Sequence, residues 1–435
     1  MTLRIIQGRV IDPASKVDRI TDLFVVNGKV AGLDTAPPGF VPNRQLHAKG
    51  RLVMPGLVDL AARLREPGQE HKGTIASETY AAAAGGITSL CLPPDTSPVV
   101  DSPAEVELIQ QRAQTAGYCR VYNLGALTAG LGGQILSEMA ALKRAGCVGV
   151  SNALQPMSNT LVLRRAMEYA ASQALTVFLH PFDHALANQG CAHEGAVATR
   201  LGLPGIPTAA ETAAMGQLLA LVEQTGVRAH FCRLSCTRAV SMFARARYDG
   251  LPVTADVCAH QLFLTENDIG NFDALYHTLP PLRTAGDLQG LRQAVTRGSV
   301  TAICSDHQPH ETDAKQAPFP STEPGIAGLE TLLPLTMRLV ASNVLSLTQA
   351  VAYLTVAPAA VMGIAAGSLM VGSAADICIF DPDAQWTLSP EHLNSRGRNT
   401  PFGGQTFTGR VTHTLLGGEV VYEYKREMRS QVRDE

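Results

Sequence analysis

Residues 54–68 read MPGLVDLAARLREPG. The turn pair Pro55-Gly56 is followed by an apolar run, Leu57-Val58-Asp59-Leu60, which predicts a buried strand. Ala61 and Arg63 come next, two residues apart, a spacing that sets two side chains on one face of a strand. Upstream, residues 1–53 read as short strands with tight turns, and Asn27-Gly28 between two apolar runs predicts a hairpin. Downstream, the pattern changes to strand, loop and helix, repeated.

The strands predicted in that repeat are Val58 to Leu60, Ile87 to Leu92, Arg120 to Leu124, Val148 to Ser151, Leu175 to Leu179, Arg228 to Leu234, Pro252 to Val257 and Val300 to Ser305. Helical stretches fall between them, among them SPAEVELIQQRAQTAG, NTLVLRRAMEYAASQA and TAAETAAMGQLLALVEQTG. The first carries a capping-box signature, Ser102 with Glu105 three residues on and Pro103 in the first turn. Eight apolar strands alternating with helices predict an α/β fold, a (β/α)8 barrel. Two more helical stretches follow, GLETLLPLTMRLVAS and TQAVAYLTVAPAAVM, and then strands return in DICIFDP, RVTHTLL and EVVYEY. Terminal strands this few cannot bury a face alone, so they are expected to pair with the N-terminal ones. The expected division is a barrel over 55–364 and a small β-sandwich-like domain over 1–54 plus 365–435, with a frayed charged end, REMRSQVRDE.

Composition narrows the function classes. A chain of 435 residues with 46% apolar content and a net charge of -3 is an ordinary globular one. It has no basic run for nucleic acid, no stretch of about 20 apolar residues for a membrane and no signal-peptide pattern. Nine cysteines without framework spacing point to a reduced, cytoplasmic protein. Cys232 and Cys236 read as buried thiols rather than as a zinc knuckle.

Barrel enzymes carry their chemistry at the C-terminal ends of the strands. There, strand one delivers Ala61, Arg63 and Arg65, strand four Asn152 and Ala153, strand five His180 and strand six His230 and Arg233. Strand eight delivers Asp306, His307 and His310. His307 and His310 have the spacing of a metal pair but read as ordinary loop residues. His184 and His193 read as surface or loop hydrogen-bonders, and the Gly-Gly pairs as turn glycines.

The first-strand frame resembles that of the dihydroorotases, within the amidohydrolase superfamily. HEGAVATRLGLPGIPTAAE from His193, SDHQPH at strand eight, EPGIAGLETLLPL from Glu323 and RNTPFGG from Arg398 extend the resemblance over nearly the whole chain. It implies a metal site built from two strand-one histidines, one histidine each from strands five and six, and a strand-eight aspartate. A strand-four carboxylate or carboxylated lysine often bridges. The matching positions here are Ala61, Arg63, His180, Arg233 and Asp306, with Asn152 or Ala153 at strand four. Only His180 and Asp306 are residual ligand types, whereas a catalytic zinc needs about three protein ligands and an open position. Guanidinium has no lone pair to give. The expectation is therefore no metal, with Arg63, Arg233 or both pairing with Asp306 in its place.

The substrate positions implied by the resemblance are altered too. Arg65 and His310 match family contacts, but the family's MPNT loop is PPDT, which puts Asp95 where an asparagine binds substrate. Leu279 stands for the asparagine before PPLR, and Gln261 for the second histidine of PHHL. Asp95 is expected to repel an anionic substrate. Arg65 either keeps anion affinity or braces Glu66 and its loop. No catalytic residue is expected, and all these positions read as vestigial. The resemblance further implies a non-catalytic partner of the aspartate transcarbamoylase catalytic chain, a homodimer within a larger hetero-oligomer serving pyrimidine biosynthesis. The alternative is a divergent cyclic-amide hydrolase with one zinc at His180 in a rearranged mononuclear site.

Overall fold

The computed structural model describes residues 2–425; the charged end, 426–435, lies outside them. Eight parallel strands form the barrel in chain order: Leu57–Asp59, Ile87–Leu92, Arg120–Ala126, Gly149–Ser151, Thr176–Leu179, Ala229–Phe231, Val253–Cys258 and Ala302–Cys304. All eight fall where the apolar runs place them, with ends shifted by a few residues. Closure between the last strand and the first runs through the segments just beyond them. Arg63 N–H donates to the His307 carbonyl at 2.9 Å, and His307 N–H donates to the Ala61 carbonyl at 3.0 Å. Ala61 and Arg63 therefore follow the first strand instead of lying on it.

The barrel is filled, as a closed sheet of this size must be. Val58, Cys91, Leu124, Phe178, Cys258 and Cys304 pack inside, and Ala359, Val361 and Met362 plug the lower end. Close packing leaves no room for a methyl at Gly149 in strand four. A Cβ there would lie 2.6 Å from the Phe178 ring and 2.7 Å from the Thr176 carbonyl oxygen. Gly149→Ala is expected to destabilise by about 1–3 kcal/mol, read as a shift of the urea midpoint.

Strands from both chain ends join one second sheet of eight strands. Leu52–Pro55 sits in its middle, parallel to Thr2–Asp12 and antiparallel to Ile377–Thr387. The Asn27-Gly28 hairpin forms as the sequence predicts, with both residues at positive φ. The stretch TQAVAYLTVAPAAVM makes two helices, Leu347–Leu354 and Val356–Met362, divided at Thr355. The cause is Pro358, which lacks an N–H and is accommodated only in a first turn. The capping box at Ser102 is half built. Its hydroxyl accepts from Ala104 N–H, but Glu105 receives the Ser102 hydroxyl instead of reaching back to the backbone.

Candidate functional site

The barrel mouth is built from the segments leaving strands one, two, six and eight. Its centre is an ion-pair array. Arg233 Nη1 donates to Asp306 Oδ1 at 3.0 Å, and Arg63 Nη1 lies 3.7 Å from the same oxygen. Arg63 Nε donates to Asp95 Oδ2 at 2.9 Å. Arg63, Arg233 and Asp306 are all buried. Burial opposes the charge on Arg233, but Asp306 more than offsets this and raises its pKa. Burial pushes Asp95 up, yet Arg63 holds it below the usual carboxylate range. Asp95, expected to repel anions, is thus paired with a guanidinium.

His180 Nδ1 lies 3.3 Å from the Cys232 carbonyl, which leaves the proton on Nδ1 and a lone pair on Nε2. Burial, then the nearby Arg233, holds this ring well below the ordinary histidine pKa. Its Nε2, Arg63 Nη2, Arg233 Nε and His260 Nε2 are buried without a hydrogen-bond partner.

Other positions read from the sequence lie elsewhere. Asn152 is not bonded to Asp306. It accepts from Thr128 Oγ1 at 2.7 Å and donates to the Leu131 and Gln155 carbonyls, because the loop after strand four needs those bonds. With Ala153 and His180 it borders a cavity of about 80 Å3. His230 does not reach the mouth either, because strand seven supplies its partners inside the barrel. Its Nε2 lies 2.9 Å from Asp256 and its Nδ1 2.9 Å from Thr254 Oγ1. His193 is buried rather than superficial, with Arg283 Nη1 3.1 Å from its Nδ1. Leu279 packs with Ala187, Ile206 and Phe182, and Gln261 donates to the Pro280 carbonyl at 3.2 Å.

Arg65 braces the strand-eight loop. It donates to the Pro309 carbonyl at 3.0 Å and to Gln69 at 3.3 Å, and lies 3.1 Å from His310 Nε2. Burial, then Arg63, pulls its pKa down to about 10. Glu66 instead takes Arg112 and caps Ile75 N–H at 2.6 Å. His307 donates to Glu78 at 2.9 Å and accepts from Gly328 N–H at 3.1 Å.

Sequence reading missed Lys72 and Glu323, whose ion pair lies against His310. It also missed Glu78 and Asp59, the latter bound by Ser305 N–H at 2.9 Å and by the Ser305 hydroxyl. The one available signal was charge type: Asp59 breaks an otherwise apolar strand.

A divalent ion at the family position does not fit this donor set. Ala61 offers nothing, and two guanidinium groups bear on the one carboxylate. A second cluster has ligand-type atoms. His230, Cys232 and Asp256 each offer one, all within 4.8 Å of one another. Those atoms are largely engaged: besides His230, Asp256 accepts from Arg233 N–H at 2.6 Å, and burial holds the Cys232 thiol up. Cys236 is apart from it and caps the helix Thr237–Tyr248.

The family model described as dihydro-orotase-like matches residues 50–239, and one described as amidohydrolase family matches 312–422. A dihydroorotase-like protein of Pseudomonas putida is 51% identical over 97% of this chain and 99% of its own. A dihydroorotase of Anaeromyxobacter dehalogenans is 43% identical over 96% of each chain. Among solved structures, an L-hydantoinase (dihydropyrimidinase) from Arthrobacter aurescens superposes with a TM-score of 0.87 at 23% identity, covering 98% of this chain and 96% of its own, a likeness of fold. No helix among the described residues is long and apolar enough to cross a membrane. Sequence and architecture agree: the chain belongs to the dihydroorotase-like family of amidohydrolases.

Proposed function

We propose that this chain is a catalytically inactive dihydroorotase-like protein that acts in the cytoplasm as an assembly subunit for the aspartate transcarbamoylase catalytic chain. In this reading it is a homodimer within a larger hetero-oligomer of pyrimidine biosynthesis. The observation that carries the loss of chemistry is the pair of guanidinium groups on Asp306. Without a metal, no group in the mouth brings the pKa of water to about 7, and Asp306 has no activated water to serve. The 51% identical relative bears the name dihydroorotase-like protein, while relatives at 43% are named dihydroorotase, which is in keeping with divergence from the enzyme.

The test is co-expression with the host's aspartate transcarbamoylase chain. The expected result is a complex larger than either component, carbamoyl transfer dependent on this chain, no turnover of dihydroorotate, and metal well below one ion per chain. Two components that elute separately would refute the assembly role.

The cluster at His230, Cys232 and Asp256 favours a second reading, a divergent metal-dependent cyclic-amide hydrolase with a rearranged mononuclear site. Stoichiometric zinc lost in Asp256→Asn, together with hydrolysis of dihydroorotate or a hydantoin, would establish it and remove the first.

A further inference from the structure

Against the chain-end sheet, two arginines and three rings form a stack of five. Arg338 lies 3.9 Å from the Phe407 ring centre. Phe407 stacks on Trp386 with centroids 5.3 Å apart and planes at 24°. Arg410 is 4.8 Å from the Trp386 ring centre and 3.8 Å from that of Tyr424. Trp386 is fixed by its indole N–H, which donates to the Gly409 carbonyl at 2.9 Å.

The two arginines differ in what their edges do. Arg338 spends its N–H groups on Gln405 Oε1 at 3.0 Å and the Thr406 carbonyl at 2.8 Å. Arg410 has no hydrogen-bond acceptor or carboxylate partner among the described residues. A guanidinium held flat by two rings has lost its rotational freedom, while its in-plane donors remain for a planar or tetrahedral oxyanion.

Arg410 lines a cavity of about 750 Å3, shared with Tyr422, His392 and Lys425, within the usual size of small-molecule sites. The acid in its wall is already engaged. Glu330 accepts from Asn394 N–H and Nδ2, both at 2.7 Å, and from Ser395 N–H at 3.2 Å. Burial pushes its pKa up to about 7, so its charge is weakened near neutral pH. Burial also pushes the Tyr422 phenol up to about 12, which keeps that hydroxyl a donor.

We propose that this cavity binds a small molecule bearing a phosphate or carboxylate, held by the free edge of Arg410 with Tyr422 and Lys425 as further donors. This site is independent of the barrel mouth and of the assembly role. The same chemistry has a source within the chain, since Asp434 and Glu435 lie nine and ten residues beyond Lys425.

Trp386 is the chain's single tryptophan, so its fluorescence reports on this cavity alone. The full chain and a chain ending at Lys425 are titrated with ATP and with inorganic phosphate, by fluorescence and by calorimetry. Saturable binding of ATP to the full chain, competed by phosphate, is expected, and Arg410→Gln should weaken it about tenfold or more. Tyr422→Phe leaves the stack intact and should weaken it less, a check that holds if Arg410→Gln fails to fold. Binding seen only in the shortened chain would assign the oxyanion to the chain's own end. No saturable binding in either chain, or an affinity unchanged in both Arg410→Gln and Tyr422→Phe, overturns the proposal.

Discussion

Arg233→Met is expected to destabilise the protein by roughly 3–5 kcal/mol, the range for removing one partner of a buried ion pair. Methionine keeps most of the side-chain stem, so the loss is one of charge rather than of volume. Asp306 is 2% exposed and would keep only Arg63 Nη1 at 3.7 Å and the Gln308 amide at 3.2 Å on its other oxygen. Adding Asp306→Asn should recover most of the loss, because an amide carries no charge to desolvate. Urea midpoints of the two single variants and the double one, at constant m-value, give the coupling. A single variant within about 1 kcal/mol of the parent, the scale of an exposed pair, would mean that Asp306 does not depend on Arg233. The argument for a retired metal site would then lose its main support.

On the proposed reading, the charge count accounts for the two arginines at Asp306. A divalent ion brings two positive charges to the strand-eight carboxylate, and Arg63 and Arg233 bring the same number on organic groups. At about 4 Å such a pair is worth on the order of 4 kcal/mol at an effective dielectric near 20. Arg63 also bridges to Asp95, so the aspartate of the PPDT loop joins the same ion-pair array. What guanidinium cannot replace is an exchangeable coordination position. On the proposed reading, the array keeps the electrostatics that hold the mouth together and lacks the open coordination position that would make hydroxide.

Much of this was legible in the sequence, for a physical reason. A strand buried on both faces is mostly apolar, so eight short runs such as Ile87–Leu92 and Val253–Cys258 declared themselves despite Thr88, Ser89, Thr254 and Asp256 within them. The substitutions at Ala61, Arg63 and Arg233 were legible because the flanking motifs fix their register. Side-chain direction was not. Asn152 spends its amide on the loop after strand four, bonding Thr128, and His230 turns inward to Asp256 on the next strand. Glu78 meets His307 across 229 residues of chain, and Lys72 meets Glu323 across 251. Nothing local to either member marks such pairs. The break at Thr355 could have been read from Pro358 alone.

Stability should fall as the pH is lowered from 7 to 5, earlier than paired carboxylates alone would cause. Burial lowers six histidines, His193 and His413 least, and four of them furthest: His180 well below its ordinary pKa, His260 and His277 at about 4, and His310 at about 2, the last also opposed by Arg65 and Lys72. In the unfolded chain each titrates near pH 6.5. Below that pH the unfolded state takes up protons that the native state refuses, so the folded advantage, present above about 6.5, is lost on acidification. Two groups act the other way. Asp59 and Glu330 are pushed up to about 7 by burial, so the native state holds protons there that the unfolded chain has released above about 4. Four against two leaves the unfolded state up to about two protons ahead, a slope of roughly 2–3 kcal/mol per pH unit. Urea midpoints at intervals between pH 7 and 5 measure it. His277→Asn, which removes one of the four, should reduce the slope by about 1.4 kcal/mol per pH unit. A midpoint that stays flat across that interval would mean that these rings charge in the folded protein, and that the interior around them is far more polar than its packing indicates.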